Sequence, residues 1–234
     1  MMKTEPNDGR RRACLWGAAS AASLLLSCAG GARARSGAPP STPDDHEEAE
    51  VTPGEDLMQE HGVLERVLLI YDEAANRIER AESVDLAIVT GAAEIVRRFV
   101  EEYHEKIEEQ FVFPRLEAAR RETDLVAVLR GQHQRGREVT AEIIRLSKAS
   151  ASADLVRSLR AFERMYRPHA AREDTVLFPA FRAVVGGDAY RELGEQFEEQ
   201  EHQKLGEHGF EGAVKEVAAL EAALGIADLS KFTP

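Results

Sequence analysis

His104-Glu105-Lys106-Ile107-Glu108-Glu109-Gln110-Phe111-Val112-Phe113-Pro114 is a stretch that this chain writes twice. Its frame returns as His169-Ala170-Ala171-Arg172-Glu173-Asp174-Thr175-Val176-Leu177-Phe178-Pro179. Each copy reads His, three residues, Glu, a second acid, three residues, Phe-Pro. An α-helix turns about 400° over four residues, so each His and the Glu after it share a face, one turn apart. Two such pairs deliver two imidazoles and two carboxylates from two helices, the way helical bundles assemble paired-metal sites.

Outward from these copies, the apolar spacing predicts four helices. The first, from about 55 to 80, has the stripe Leu57, His61, Leu64, Leu68, Tyr71, Ala75, Ile78, in which His61 takes a slot the pattern would otherwise give to an aliphatic. The second, about 84–112, carries Val89, Val96, Val100, His104, Glu108 and Phe111 on one face. The third, about 123–148, presents Leu125, Leu129, His133, Gly136, Thr140 and Ile143, and the fourth, about 152–183, presents Leu155, Leu159, Phe162, Tyr166, His169, Glu173, Val176 and Ala180. After Gly186-Gly187, two more helices are expected within 188–225, separated around Gly209 and packed on the bundle as an added layer. The expected fold class is all-α: an up-and-down four-helix bundle over 55–185 with additional C-terminal helices over 186–234.

Every bundle helix thus offers one inward histidine, and two offer an inward glutamate. A lone histidine on an apolar face is ordinarily a hydrogen-bonded core residue, but two inward carboxylates are harder to place. An isolated buried carboxylate costs several kcal/mol at least, and these stripes hold no Lys or Arg to offset it. Four imidazoles and two carboxylates without basic partners call for a cation. The donor set suits iron, manganese or zinc. Six protein groups exceed one tetrahedral zinc but fit two ions with Glu108 and Glu173 spanning the gap, leaving room for water, dioxygen, peroxide or nitric oxide.

Composition narrows the alternatives. Lys and Arg number 30 against 42 Asp and Glu, a net charge of −12, which disfavours phosphate backbones and anionic lipid. The only cysteines are Cys14 and Cys28, so the helical part has no thiolate zinc site, cysteine-ligated cluster or disulfide. Arg10-Arg11-Arg12, a short apolar run with Leu24-Leu25-Leu26, and small residues after it describe an export signal over 1–28. Leu25-Leu26-Ser27-Cys28 resembles a lipobox, which would place a lipid on Cys28; Arg11-Arg12-Ala13-Cys14-Leu15 also suggests a twin-arginine signal. The expected location is the periplasm or cell envelope. Residues 29–54, rich in Gly, Ala, Pro, Ser and acids, are expected to form a flexible tether that includes a solvated His46.

The quoted residues resemble the hemerythrin-like family, the cation-binding four-helix bundles named for their His-His-Glu motifs, over about 55–185. On that resemblance His61 matches the first-helix histidine, His104 and Glu108 the second-helix pair, His133 the third-helix histidine, and His169 with Glu173 the fourth-helix pair. It implies two non-heme iron ions, with manganese or zinc as alternatives, and dioxygen or another small diatomic or peroxide as ligand. The chain departs from the oxygen carriers in two places. Arg137 stands where they have a second third-helix histidine. Asp174 could match their fourth-helix aspartate, although a five-residue step points about 140° away from His169 and favours Glu173. Pro168 can bend the helix enough to keep Asp174 in contention.

Other residues read more plainly. Tyr103 and Tyr166 are core aromatics or donors to the ligands, and Glu109 faces solvent or a ligand histidine. Glu60 and Gln132 lie on solvated faces or orient imidazoles. The Phe-Pro pairs stop or kink their helices. His202 and His208 are surface or packing residues, with His202 the better candidate for an extra ligand. The leading functional expectation is a protein that binds or senses dioxygen or a related ligand. An enzyme acting on peroxide or nitric oxide is the alternative, ranked lower because no further inward acid or base stands out. A protein for metal storage or structural metal binding is the third class.

Overall fold

The computed structural model describes residues 51–206 and 208–233. The expected export signal, Cys28 as the expected lipid site, and the expected tether up to residue 50 lie outside them. Among the described residues the chain is helical throughout, with no strand and no helix long and apolar enough to cross a membrane.

Six helices follow one another. Helix α1 is Pro53–Glu79, opening two residues before the sequence reading placed it. Thr52 caps it, Pro53 fills the first turn where a missing N–H costs nothing, and the Glu55 carboxylate accepts from the Thr52 N–H at 2.9 Å. Helix α2 spans 86–118, α3 is Thr123–Ser147 and α4 spans 153–185. Asp85 and Ser152 cap α2 and α4, each accepting from a backbone N–H of the first turn. The connections between these four are short, so sequential helices run antiparallel and the bundle goes up and down. Helices α5, Gly187–Leu205, and α6, Gly209–Leu224, are the expected additional pair, and both pack against α1 and α2.

That extra layer explains a feature of α1. Its predicted stripe is buried through Ala75, yet Val63, Val67, Ile70 and Ala74 are buried too, because α6 covers its other side. The layer is fastened by polar links as well: Arg66 to Glu221, and the Arg77 guanidinium to the Leu224 carbonyl at 2.7 Å. Phe197 of α5 is fully buried and meets Phe111 edge-on, with ring centroids 5.4 Å apart. Burying aliphatic side chains such as Leu57, Leu64 and Leu68 stabilises the fold by roughly 1.5–3 kcal/mol each.

The Phe-Pro pairs do not end their helices. Both helices run on for several residues beyond the proline, because each passes through a widened π turn first, Glu108–Val112 in α2 and Glu173–Leu177 in α4. The Phe113 N–H reaches back five residues to the Glu108 carbonyl, and the Phe178 N–H likewise to that of Glu173. A proline in a helix lacks a donor and crowds the carbonyl four residues earlier; the wider turn gives its ring room. The turn also advances the register by one residue. Val176, assigned inward by the ideal repeat, is therefore exposed, while Leu177, Phe178 and Phe181 are buried.

Candidate metal centre

Helices α1 to α4 bring His61, His104, Glu108, His133, His169 and Glu173 into one buried cluster, with none of the six more than 4 % exposed. The imidazoles form two pairs, His61 with His104 at 4.7 Å between centroids and His133 with His169 at 5.1 Å. Potential ligand atoms of His61, His104 and Glu108 lie within 4.8 Å of one another, as do those of His133, His169 and Glu173.

The two carboxylates join the halves. Glu108 Oε2 is 3.7 Å from His104 Nε2 and 3.4 Å from His133 Nε2. Glu173 Oε2 is 3.4 Å from His61 Nε2, and its Oε1 is 3.1 Å from His169 Nε2 and 3.9 Å from His133 Nε2. Among the described residues no Lys or Arg pairs with either glutamate. Both oxygens of each glutamate, and Nε2 of His104 and His133, are shut from water without a hydrogen bond of ordinary geometry. Buried polar atoms are otherwise satisfied almost without exception. A pair of cations would satisfy all of these atoms at once, so this donor set fits two ions.

Each histidine turns Nε2 inward because its Nδ1 is held from behind. His61 Nδ1 donates to Asp174 at 2.7 Å, His104 to Glu60 at 2.7 Å, His133 to Glu109 at 3.2 Å and His169 to Gln132 at 2.9 Å. Every one of these acceptors is the sequence neighbour of a cluster residue on the adjacent helix. Glu60 on α1 serves α2, Glu109 on α2 serves α3, Gln132 on α3 serves α4, and Asp174 on α4 serves α1, closing a ring. Such partners fix ring orientation and tautomer, which is how histidine ligands are kept ready for a metal.

Several sequence-level readings change here. Glu60 and Gln132 are not on solvated faces; Glu60 is 1 % exposed and both hold imidazoles. Glu173 faces the Nε2 atoms while Asp174 takes the Nδ1 side of His61, so the pair divides the work that the sequence left in competition. The prolines' partners, Phe113 and Phe178, lie flat against His133 and His61 at 5.4 and 5.7 Å, each motif copy covering a histidine of the opposite half. His202 is exposed on α5 and joins none of the groups of potential ligands among the described residues. Arg137 reaches Glu105 and Glu109, both at 2.6 Å. An inward acid that the stripes did not reveal is Glu105, 1 % exposed, which accepts from the Tyr166 hydroxyl at 2.7 Å. The available signal was adjacency: an acid or amide beside a ligand-type residue already sits near the neighbouring helix.

Charge inside the cluster follows from burial and pairing. Burial alone would lower the His61 pKa, but the Asp174 and Glu173 carboxylates outweigh it and raise it to about 10. His133 likewise rises to about 10 under Glu108 and Glu109. Burial and the His61 cation, against Glu108, bring His104 down to about 4, leaving it neutral. Burial and the negative Glu173 push Glu108 up, whereas His169 and His61 hold Glu173 well below the usual range against its burial.

A pH dependence follows. An ion entering either half must displace the proton of His61 or His133, so apparent affinity should rise about tenfold per pH unit for each ion between pH 7 and 9. The stability sign is opposite for the ion-free chain. These raised histidines contribute fully below their ordinary pKa, about 6.5, and that contribution fades as pH climbs towards 10. Metal titrations at pH 7, 8 and 9 check this, and an affinity flat with pH would contradict it.

Comparison with known proteins agrees with this geometry. Uncharacterised proteins of Mycobacterium bovis and Mycobacterium tuberculosis are each 44 % identical over 243 residues, covering 100 % of this chain and 94 % of their own length. No solved structure matches the chain. Residues 52–181 match the hemerythrin HHE cation binding domain, a span that contains all six clustered residues and all four of their supports. The chain belongs to the hemerythrin HHE cation-binding family.

Proposed function

We propose that this protein is a non-heme di-iron protein that binds or senses dioxygen or a related small ligand. The metal ligands in this reading are His61, His104, Glu108, His133, His169 and Glu173. The observation that carries it is the pair of buried glutamates whose oxygens lack hydrogen bonds and lie within 4 Å of histidines from both halves. Iron bound there would supply reversible binding of a small ligand at coordination positions the protein leaves open. The chain's own part is to hold four imidazoles by Nδ1, keep bulk water out with Phe113 and Phe178, and neutralise the ions with two carboxylates.

Glu105 with Tyr166 supports a second reading, turnover of peroxide or nitric oxide. The Tyr166 ring lies 5.2 Å from that of His169, and its hydroxyl is bonded to a buried carboxylate, so a proton donor does stand beside the cluster. Metal analysis and spectra of anaerobically purified protein test both readings. Two irons per chain and a spectral change that reverses when oxygen is removed are expected for the binder. One ion, or zinc alone, would refute the di-iron assignment. Sustained consumption of peroxide or nitric oxide that is lost in Tyr166→Phe would shift the conclusion to an enzyme.

A further inference from the structure

The six converging side chains are arranged alike in the two halves, but what stands behind them is not. His61 and His104 are each backed by a carboxylate at 2.7 Å, Asp174 and Glu60. Glu60 belongs to a buried acidic group with Asp56 and Glu201. His133 and His169 are backed at longer range, by Glu109 at 3.2 Å and by the neutral amide of Gln132 at 2.9 Å. The charge of Glu109 is already engaged, by Lys106 at 2.5 Å and by Arg137 at 2.6 Å, and the same guanidinium holds Glu105.

A carboxylate behind an imidazole strengthens it as a donor and adds negative charge to the field at the ion; an amide adds none, and a nearby guanidinium opposes it. On the two-ion reading above, we propose that the two positions are unequal. The position between His61 and His104 fills first and holds its ion more tightly. The position between His133 and His169 is the exchangeable one. Asp174, Glu60 and Gln132 act as positioning residues that set this order. Losing a partner behind a metal ligand costs 10–100-fold in affinity, so exchanging carboxylate for amide predicts a gap of about tenfold or more.

The test titrates the full metal-stripped chain with cobalt(II) against a chromophoric chelator at fixed pH. Two steps separated by about tenfold or more are expected. Gln132→Glu should tighten the second step about tenfold and leave the first in place, and a gain of affinity cannot come from misfolding. Asp174→Asn should weaken the first step about tenfold; the Asp174 side chain is 34 % exposed, so the fold tolerates the change. Coincident steps at a stoichiometry of two would overturn the inequality, as would Gln132→Glu tightening the first step. Fewer than two ions bound would instead overturn the two-ion reading on which it rests.

Discussion

On the two-ion reading, Glu173→Ala should leave the chain with at most one weakly held ion. Glu173 comes within 4 Å of three of the clustered histidines: it lies 3.4 Å from His61, 3.1 Å from His169 and 3.9 Å from His133. A missing partner behind a ligand already costs 10–100-fold in affinity, and removing a carboxylate shared between both halves should cost on the order of 100-fold or more. The ion-free chain also changes, because Glu173 helps keep His61 charged. Without it that pKa falls and the imidazole loses a buried partner. Elemental analysis after purification and a cobalt titration give the readout, with circular dichroism to show that the bundle persists. Asp174→Asn is the control. It should still bind two ions at saturation, since Asp174 contacts only the Nδ1 side of His61. Two ions retained by Glu173→Ala, or lost entirely from Asp174→Asn, would reverse the roles given to these neighbours.

The second large effect is on stability. A methyl group added at Gly136, on the inner face of α3, would run into the Tyr166 hydroxyl and lie 2.8 Å from Cζ and 3.0 Å from Cε2 of the ring. The ring has no retreat. It is 1 % exposed, stacked on Phe162 with centroids 4.3 Å apart, and tied to Glu105 by its hydroxyl. Gly136→Ala must push α3 from α4 or break the Tyr166–Glu105 bond, which leaves the buried Tyr166 hydroxyl and Glu105 Oε1 without each other while Arg137 keeps Oε2. Overpacking a filled core costs about 1–3 kcal/mol, and the lost hydrogen bond places this case near 3 kcal/mol. Because Tyr166 also sits against His169, metal affinity should fall with stability. Gly62 and Gly131 make the comparison sharp, since a methyl there meets nothing within 4 Å. Ala at either helical position should stabilise by roughly 0.5–1 kcal/mol through backbone entropy. Urea denaturation of the three variants decides it. A Gly136→Ala stability within about 0.5 kcal/mol of the parent, the range of an ordinary surface change, would show that the interior is looser than this packing implies.

Helical periodicity made much of this legible in advance. His61, His104, His133 and His169 interrupt apolar stripes, so their inward direction follows from a 3.6-residue repeat read along each stretch of sequence by itself. Glu108 and Glu173 share those faces by their four-residue spacing. The break near Gly206 and Gly209 separates α5 from α6, close to where glycine spacing put it. Val176 shows where this logic ends. Its position assumes an ideal turn, and the π turn before Pro179 inserts a residue that rotates everything beyond it.

By itself, then, the sequence determined the elements and the faces. It specifies an all-helical domain with four histidines and two glutamates pointing inward, because those properties depend on residues within a few positions of one another. Tertiary structure alone decided the partnerships. Asp174 holds a histidine 113 positions away and Glu60 one 44 positions away. Phe113 and Phe178 cover imidazoles of the opposite half, and Arg137 binds two acids of α2. Those contacts are set by how far apart the helices pack and how each is rolled about its axis. Spacing and roll come from the whole filled interior, so no local stretch of residues encodes them.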